Sequence, residues 1–526
     1  MSFKARLLVS VVLALGLSAC GVNPVTGKKE LQFVSEAQEL QIGAENYAPM
    51  RQSEGGDFKV LPELTSYVSG IGQKLAAVSD RKQLPYEFVV LNSSVPNAWA
   101  LPGGKIAVNR GLLTELRSES ELAAVLGHEI VHAAARHGAK AQERGTLLQA
   151  GLAVATIGAA VGGADENVAG LVLQGAGLGA QLVQMKYGRD QELEADEYGM
   201  KYMKSAGYDP WGAVTLQESF VRLSKETGAK SQGFLEGMFA SHPPSEERVE
   251  RNKQTAEALG RGGEVGDAVY VARMKALTEI KPAYDKYDKA LAAAQKKDYA
   301  QAKQLANEAV MLLPKEARFQ QALGEIALAE KDPQRAIPYY EKAISLDPDY
   351  FGSYLGAGVA QYRLGNKSKA QEWLAKSAQL LPTAPAAYYL GELARGRGDT
   401  QKAMQYYQAA ATSQSDIGKQ AAGEYVRLDL PQNPGNYITV AGQLSTKNRV
   451  FIVVQNRAPI ALSDVRVTPA LVDAAGRVVQ TAPSVRFDQP IAPGERAALD
   501  AGLGELTQQQ MAALRFRIEG ARVVDR

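Results

Sequence analysis

The sequence is poor in cysteine and in histidine. Cysteine occurs once, at Cys20, so no disulfide can form within the chain and disulfides are excluded as a source of stability. Only four histidines occur, and three of them, His128, His132 and His137, fall within ten consecutive positions. The fourth, His242, stands alone far downstream. Any chemistry that needs an imidazole is therefore confined to very few positions.

The chain also lacks an excess of charge of either sign. It carries 59 basic and 57 acidic residues. Lys4 and Arg6 lie in an N-terminal segment that we expect to be removed, which leaves 57 of each sign. A neutral chain offers no electrostatic footprint for nucleic acid, so we exclude nucleic acid as a partner. The hydrophobic content of 45% is ordinary for globular proteins, and the length predicts roughly three or four domains.

Long hydrophobic runs are missing as well. The apolar core of the N-terminal segment, residues 7–17, is too short to span a bilayer but is typical of a secretory signal. It ends in LSAC, residues 17–20, which resembles a bacterial lipobox. We therefore predict a lipoprotein signal peptide at 1–19 and lipidation of Cys20, which anchors the chain to a membrane. By resemblance to bacterial lipoproteins, Gly21 rather than Asp in the following position favours the outer membrane over retention in the inner one. The alternative is an ordinary signal peptide followed by a chance cysteine.

A second apolar stretch, residues 150–183, is rich in glycine and alanine and is interrupted by GGADEN. Its two pieces, of about 12 and about 16 residues, are short for a membrane span. We predict packed helices of small residues. A surface that touches a membrane or an unfolded client is the alternative.

The histidine cluster lies in a helical pattern. Residues 118–121, Ser-Glu-Ser-Glu, form a capping-box pattern and predict a helix that starts there and continues beyond His137. His128 and His132 are four residues apart, so their imidazoles share one face and could bind one tetrahedral ion. Glu129 is rotated by about 100° and could take a proton from water beside that ion. His137 is expected to point away, as a surface or packing residue. The motif alone also occurs on helices that bind no metal.

A catalytic zinc needs a third protein ligand and one position for water. A second helical pattern downstream offers Glu192, Glu194 and Asp196. Glu192 and Asp196 share a face, whereas Glu194 points elsewhere. Glu192 could therefore bind zinc while Asp196 orients a ligand histidine. The alternative is a solvated acidic face paired with Arg189.

An internal repeat begins near residue 284. Pro314, Pro348 and Pro382 recur every 34 residues, and small residues keep the same register: Ala302, Ala336, Ala370, Ala403, Gly324, Gly358 and Gly391. Small residues let the two helices of a unit approach closely, and the proline ends the second helix. This is the tetratricopeptide pattern, with a capping helix expected at 417–428.

The remaining C-terminal part is rich in strand patterns. PQNPGN, residues 431–436, reads as a linker. NRVFIVVQN, DVRVTPALVD, GRVVQ and RFRIEG follow as short strands between turns, which predicts a β-sandwich. Nothing in this part suggests chemistry.

HEIVH followed downstream by Glu192-x-x-x-Asp196 resembles the zinc metallopeptidase family of the CAAX prenyl endopeptidases and HtpX-like proteases. NAWALPGG at 97–104 is similar to the edge-strand segment of that family, and SHPPSEER at 241–248 is similar to its His-Pro…Arg segment. Together with the lipobox and the repeats, the similarity is to periplasmic members of the family that carry tetratricopeptide repeats. It covers roughly residues 22–425 and leaves the C-terminal β-domain outside.

The resemblance implies roles for individual residues. His128, His132 and Glu192 would bind one Zn²⁺ per chain, Glu129 would be the general base, and Asp196 would support the site. A peptide substrate would pair with an exposed edge strand near the site, formed by Asn97, Ala98, Trp99, Ala100 and Leu101. Strand patterns lie at 86–92 and 105–109, separated by the turn-rich segment SSVPNAWALPGG. Alternatively, Pro102-Gly103-Gly104 is merely a hairpin turn; both readings can hold, since the strand at 105–109 follows the turn directly.

Three interpretations of His242 stay open. By resemblance it could occupy the fourth zinc position and hold the enzyme inactive. It could instead donate a hydrogen bond in the transition state, a part that Arg248 could also play. It could also be a buried histidine that precedes a Pro-Pro turn and has no chemical role.

The predicted fold is multidomain: a mainly α-helical zincin-type metallopeptidase domain with a small sheet, an α-solenoid of tetratricopeptide repeats and a C-terminal β-sandwich. In chain order the predicted segments are a lipoprotein signal peptide at 1–19, a lipidated tether at 20–30, a zinc metallopeptidase domain at 31–255, a helical connector at 256–283, a repeat array at 284–430 and a β-sandwich domain at 437–526.

The expected function is that of a zinc-dependent endopeptidase at the periplasmic face of the bacterial outer membrane. It would hydrolyse misfolded or stalled envelope proteins, and its repeats would bind clients or the β-barrel assembly machinery. The main alternative is a scaffold or chaperone for outer-membrane protein assembly with little or vestigial proteolysis. A peptidoglycan or lipoprotein-processing hydrolase is a third, weaker possibility.

Overall fold

The chain divides into two compact units. One comprises Met1–Gly365 with Gln379–Leu381, and the other comprises Asn366–Ala378 with Pro382–Arg526. The computed structural model describes the following residues: 20–140, 187–226, 233, 237–445 and 449–524. The predicted signal peptide and the glycine- and alanine-rich stretch at 150–183 lie outside them. None of the helices within the described ranges has the length and apolar character needed to cross a membrane.

The peptidase region of the first unit contains short strands and longer helices. Its described strands are β1 (Cys20–Val22), β2 (Lys29–Leu31), β3 (Glu87–Leu91), β4 (Ala98–Leu101) and β5 (Lys105–Asn109). Its described helices are α1 (Glu36–Ser53), α2 (Pro62–Ala76), α3 (Arg110–Leu113), α4 (Glu119–Ala134), α5 (Arg189–Ser205), α6 (Trp211–Lys225), α7 (Met238–Ser241) and α8 (Glu246–Leu259).

A three-stranded sheet lies beside the long helices, in the order β3-β5-β4. β3 pairs with β5 in parallel, and β4 pairs with β5 in antiparallel orientation. Every residue of the central strand β5 is buried, including the polar residues at its two ends, Lys105 and Asn109. β4 pairs on one side only among the described residues, so it forms the edge of this sheet. The edge strand that the resemblance implies at residues 97–101 is therefore present as β4.

The predicted tether is folded. β1 and β2 form an antiparallel hairpin in which Cys20 lies opposite Leu31. Val25, in the turn between them, belongs to the main hydrophobic core of the peptidase region. The backbone N–H groups of Val25 and Thr26 donate to Asn23 Oδ1 at 2.9 and 3.3 Å, which closes the turn. Residues 20–30, predicted as a lipidated tether, thus form a folded hairpin whose turn is packed into the protein.

Helix α4 crosses the core, and all its residues are buried. It begins as the capping pattern predicts, with Ser118 Oγ accepting from the Glu121 N–H at 3.1 Å. The prediction of one continuous helix through His137 is wrong. The helix ends at Ala134 because Arg136 takes a left-handed backbone conformation, with φ of 63°. Residues 137–140 then form a new helical turn.

Antiparallel helices complete the first unit. They are α9 (Asp267–Gln295), α10 (Tyr299–Leu312), α11 (Ala317–Ala329), α12 (Pro333–Leu346) and α13 (Phe351–Arg363). α9 runs through most of the predicted connector at 256–283 and becomes the first helix of the repeats. Ala302 and Ala336, at the repeating alanine position, are 0% exposed. Pro314 and Pro348 follow the ends of α10 and α12, as the repeat pattern predicts.

The first repeats pack directly on the peptidase region. Asn92 Nδ2, after β3, donates to Glu316 Oε2 at 3.0 Å. Arg318 Nη2 donates to the Gly55 carbonyl oxygen at 2.6 Å. Lys59 Nζ forms an ion pair with Asp347 Oδ1 at 2.8 Å. The hydrogen bond between Asn92 and Glu316 is part-buried. The first repeats therefore pack as part of the same unit as the peptidase region.

The second unit combines helices with a β-domain. Its helices are α14 (Lys367–Leu380, except its last two residues), α15 (Ala384–Arg395), α16 (Thr400–Ala411) and α17 (Asp416–Asp429), with a short α18 (Gln508–Ala512) near the C-terminus. α17 matches the expected capping helix, and its Val426 packs in the core of the β-domain together with Leu430. The last repeat helix is therefore continuous with the hydrophobic core of the domain that follows.

The β-domain has two antiparallel sheets. Its strands are β6 (Ile438–Leu444), β7 (Arg449–Asn456), β8 (Leu462–Val472), β9 (Val478–Thr481), β10 (Val485–Phe487), β11 (Arg496–Glu505) and β12 (Leu514–Val523). One sheet has the order β11-β7-β6, and the other has the order β10-β8-β12 with β9 also paired to β8. Side chains of both sheets share one core, as expected for a β-sandwich. The sequence pattern missed β6, β10 and β11, which are short or largely exposed.

We predict that Gly324→Val destabilises the repeats. A Cβ atom at Gly324 would lie 2.9 Å from the ring of Tyr340, which is 0% exposed and cannot swing aside. Such overpacking costs about 1–3 kcal/mol, which chemical denaturation followed by circular dichroism would measure. Gly70→Ala is the control, because a Cβ there meets nothing within 4 Å and the helix should gain stability. Equal stability of both variants would contradict this packing.

Candidate active site

The site forms where helices α4 and α5 approach each other closely. A Cβ atom on Gly127 would lie 3.0 Å from the Gly199 carbonyl oxygen, and a Cβ on Gly199 would lie 3.0 Å from the His128 nitrogen. The two backbones therefore meet without side chains between them. This contact places the acidic residues of α5 beside the histidines of α4.

Four buried side chains converge at this contact. One ligand atom from each of His128, His132, Glu192 and His242 can be chosen so that all lie within 4.8 Å of one another. The Nε2 atoms of His128 and His132 are 3.0 Å apart. Glu192 Oε1 lies 3.4 Å from His132 Nε2 and 3.0 Å from His242 Nδ1. The structure thus brings together the three ligands expected from the sequence and adds His242 to them.

The chemistry of this donor set fits a zinc ion. Two imidazoles and a carboxylate on facing helices are the ligands of a catalytic zinc site, with a further position for water. Burial lowers the pKa of His132 well below its usual value, so its ring is neutral, as a metal ligand must be. Burial alone would raise the pKa of Glu192, but the charges of His242 and Arg248 hold it well below its usual value. His128, His132 and Glu192 are therefore the residues that would hold the ion.

A carboxylate and a guanidinium support His128 from behind. Asp196 Oδ1 lies 2.8 Å from His128 Nδ1 and so accepts its hydrogen. Arg248 donates to both oxygens of Asp196, each at 2.7 Å, and its Nη1 lies 2.9 Å from Glu192 Oε2. Asp196 thereby fixes the ring of His128 with Nε2 towards the other ligands. Arg248 is engaged by two carboxylates, so the structure places it as a support for the ligands.

Glu129 stands beside the ligands with both carboxylate oxygens buried. Among the described residues neither oxygen has a hydrogen-bond partner, and Oε1 lies 3.5 Å from His242 Nε2. Burial raises the pKa of this carboxyl, and the nearby charges of His242 and His128 act in the opposite direction. A buried carboxylate without hydrogen bonds is costly, and such groups occur where chemistry needs them. The arrangement suits a base that takes a proton from water.

His242 lies inside the cluster. It follows α7, and its backbone N–H donates to the Met238 carbonyl oxygen at 2.8 Å. Its Nδ1 lies 3.2 Å from His128 Nε2, and the residue is 2% exposed. Burial would lower its pKa, but the charges of Glu192 and Glu129 raise it. This position suits a fourth donor to an ion held by the other three residues.

His137 does not point away from the site. Its Nδ1 lies 2.9 Å from His132 Nδ1, and the residue is 1% exposed. Of the two expected positions, surface or packing, the surface position is wrong. The left-handed backbone of Arg136 redirects the chain, so that the ring of His137 lies against the ring of His132. No sequence pattern predicts this position, because the left-handed conformation of Arg136 ends the helix before His137. Tyr187, which stacks on the His132 ring at 3.9 Å, was also missed.

The expected peptide-binding strand β4 is at the sheet edge and packs against α4. Its side chains are buried, including Trp99 at 3% exposed, whereas the sequence analysis expected an exposed strand. The edge can therefore offer a peptide its backbone groups, while its side chains are held in the core. Asn97 Oδ1 and Trp99 Nε1 are buried without hydrogen-bond partners among the described residues.

Comparison with protein families assigns the peptidase region and the repeats. Residues 62–256 match peptidase family M48. Residues 287–351 and 327–393 match tetratricopeptide repeats. The M48 match contains every ligand candidate, and the repeat matches agree with the helices and with the period read from the sequence.

Curated relatives are similar to this chain over part of its length. The mitochondrial metalloendopeptidase OMA1 of Schizosaccharomyces pombe is 31% identical over 231 residues, which are 43% of this chain and 64% of that protein. The beta-barrel assembly-enhancing protease of Escherichia coli K12 is 27% identical over 240 residues, which are 45% of this chain and 47% of that protein. The chain thus spans about half the length of the curated relatives it matches.

Solved structures are similar to part of the chain. MamA of Desulfovibrio magneticus RS-1 is 20% identical and covers 27% of this chain and 81% of that chain, with a TM-score of 0.24. A TM-score of this size carries no information on how the repeats are arranged. Their arrangement is given by the helices described above.

We predict that Glu192→Ala abolishes stoichiometric zinc binding, because it removes the only carboxylate of the proposed ligand set. Metal analysis of the purified chain by mass spectrometry would measure it. Glu197→Ala on the same helix is the matched control, since Glu197 is half exposed and pairs only with Lys201 at 2.6 Å among the described residues. Zinc retained at wild-type stoichiometry in Glu192→Ala would reject this ligand.

Proposed function

Residues 62–256 are a peptidase family M48 domain, and on that premise we propose that this chain is a zinc-dependent endopeptidase. It cleaves misfolded or stalled envelope proteins at the periplasmic face of the bacterial outer membrane. The observation that carries the proposal is one buried cluster in which two imidazoles and a carboxylate face one another beside the unpartnered carboxylate of Glu129.

The side chains divide the work of peptide hydrolysis. Zn²⁺ held by His128, His132 and Glu192 would polarise the substrate carbonyl and acidify water. Glu129 takes the proton of the attacking water and returns it to the leaving amine nitrogen. Asp196 keeps His128 oriented throughout. The buried position of Glu129 raises its pKa and so makes it a better proton acceptor than an exposed carboxylate.

Substrate binding would use the edge strand β4. An extended peptide can add to its free side through backbone hydrogen bonds, which give affinity with little sequence preference. Because α4 packs against β4, a peptide held along residues 97–101 would run past the catalytic residues. This mode suits an enzyme that accepts many unfolded chains.

Location and partners extend the proposal. Lipidation of Cys20 would anchor the chain to the outer membrane at the first residue of the β1–β2 hairpin. The tetratricopeptide repeats supply a surface for protein clients or for the β-barrel assembly machinery. By its name, the relative from Escherichia coli is a protease that enhances β-barrel assembly, which supports clients of this class.

A scaffold or chaperone for outer-membrane protein assembly is the second candidate, and the repeat array favours it. A scaffold needs no proton acceptor at the site. Proteolysis needs Glu129, so a change at this residue separates the two functions.

We predict that Glu129→Gln keeps zinc but loses proteolysis by about 10²–10⁴-fold, the usual contribution of a general base. Cleavage of the natively unfolded protein β-casein by a chain lacking residues 1–20 would measure it, with zinc content determined in parallel. Glu197→Gln is the control for loss of a carboxylate near the site. Normal turnover by Glu129→Gln would remove it as the base, and stoichiometric zinc without cleavage by wild type would favour the scaffold.

We predict that His242→Ala raises basal proteolysis, because His242 lies where it can occupy the fourth position of the ion. Open minor states are typically about 0.1–10% populated, so the expected rise is about tenfold or more. Initial rates on β-casein would measure it, with Ser241→Ala as the neighbouring control that keeps the imidazole. Lower activity would instead assign His242 to transition-state stabilisation, and an unchanged rate would leave it without either role.

A further inference from the structure

We propose that His137, Glu194 and Asn23 form a hydrogen-bonded relay that fixes the tautomer and orientation of His132 as a metal ligand. The relay begins at the ligand ring and ends in the β1–β2 hairpin. This inference rests on the proposed zinc site. It assigns a positioning role to three residues that lie outside the ligand set.

The relay starts at the second nitrogen of His132. Nε2 of this ring faces His128 Nε2 at 3.0 Å and Glu192 Oε1 at 3.4 Å, so Nε2 is the atom that would bind the ion. A neutral imidazole that binds metal through Nε2 carries its hydrogen on Nδ1. The His132 Nδ1–H therefore needs an acceptor, and His137 Nδ1 lies 2.9 Å from it.

The carboxylate of Glu194 determines the direction of the relay. If His137 accepts at Nδ1, its hydrogen sits on Nε2, which lies 3.3 Å from Glu194 Oε1. A carboxylate only accepts hydrogen bonds, so this tautomer satisfies both residues. The opposite tautomer would place a nitrogen lone pair against the carboxylate and two N–H groups against each other. One assignment of hydrogens therefore fits the whole chain of contacts.

Asn23 completes the relay from the N-terminal hairpin. Its Nδ2 donates to Glu194 Oε1 at 2.9 Å, and the side chain is 0% exposed. The orientation of the amide is settled because Oδ1 accepts the backbone N–H groups of Val25 and Thr26. Nδ2 is therefore the end that faces Glu194. The first folded residues after Cys20 thus support the second zinc ligand.

The two ligand histidines are supported in comparable ways. Asp196 accepts the Nδ1 hydrogen of His128 directly at 2.8 Å. His132 reaches Glu194 through the intervening ring of His137, and Tyr187 stacks on its face at 3.9 Å with a 22° interplanar angle. Residues behind metal ligands orient them and raise their basicity, and their loss typically lowers metal affinity about 10–100-fold.

The test compares two substitutions of one residue. His137→Leu fills the buried space but can neither accept nor donate. His137→Gln retains a carbonyl oxygen to accept from His132 and an amide to donate to Glu194. We expect His137→Leu to lower zinc affinity about 10–100-fold, measured by competition with a chromophoric chelator, and His137→Gln to recover most of it. The visible absorption spectrum of the Co²⁺-substituted chain should change in His137→Leu and resemble wild type in His137→Gln.

A purely structural role gives the opposite order. Burying a glutamine amide without partners is costly, so a packing residue would tolerate leucine better than glutamine. Wild-type zinc affinity and Co²⁺ spectrum in His137→Leu would overturn the relay while the zinc site stands. If His137→Leu does not fold, Glu194→Leu against Glu194→Gln makes the same comparison. A wild-type chain that binds no zinc would overturn the proposed function and the relay together.

The hairpin end has its own check. Asn23→Leu removes one donor to Glu194 together with the acceptor of the Val25 and Thr26 N–H groups. It leaves the histidines in place, so we expect a smaller loss of zinc affinity in the same direction. Thr26→Val is the matched control in the same turn, because only the backbone of Thr26 contacts Asn23. Equal zinc affinities of Asn23→Leu and wild type would end the relay at Glu194 and reject the part of Asn23.

Discussion

The close approach of two helix backbones at Gly127 and Gly199 is the constraint on which the site depends. With a Cβ on either glycine, the helices would have to separate. The ligand atoms of His128 and Glu192 come from opposite helices, so the separation would act directly on the distance between them. The contact also sets Asp196 behind His128. The arrangement of the ligands and of the supporting carboxylate therefore follows from this one helix–helix contact.

Local spacing explains how much of the site could be read from the sequence. His128 and His132 are four apart on one helix, and so are Glu192 and Asp196, and periodicity alone put each pair on one face. The period of the repeats was equally local. The position of His137 could not be predicted, because it depends on the left-handed backbone of Arg136, which no sequence pattern indicates. The folded hairpin at 20–31 was missed for a similar reason, since its stability comes from contacts with distant helices.

The loop between β3 and β4 in the peptidase region contacts the first repeats. Asn92, at the start of this loop, donates to Glu316 of the repeats at 3.0 Å. Pro96, near its end, accepts from the backbone of Met238 at 3.0 Å, and Met238 in turn accepts from the backbone of His242 at 2.8 Å. The loop leads into the edge strand β4. This loop therefore connects three parts of the molecule: the surface against which the first repeats pack, the peptide-binding edge and the segment that carries His242.

The most direct test of this account is the position of zinc in crystals of the zinc-loaded chain, located by anomalous scattering at the zinc absorption edge. The account predicts one peak per chain between the Nε2 atoms of His128 and His132 and the carboxylate of Glu192, at about 2.0–2.2 Å from each. A full-occupancy peak at other residues, with these three side chains unligated, would contradict it.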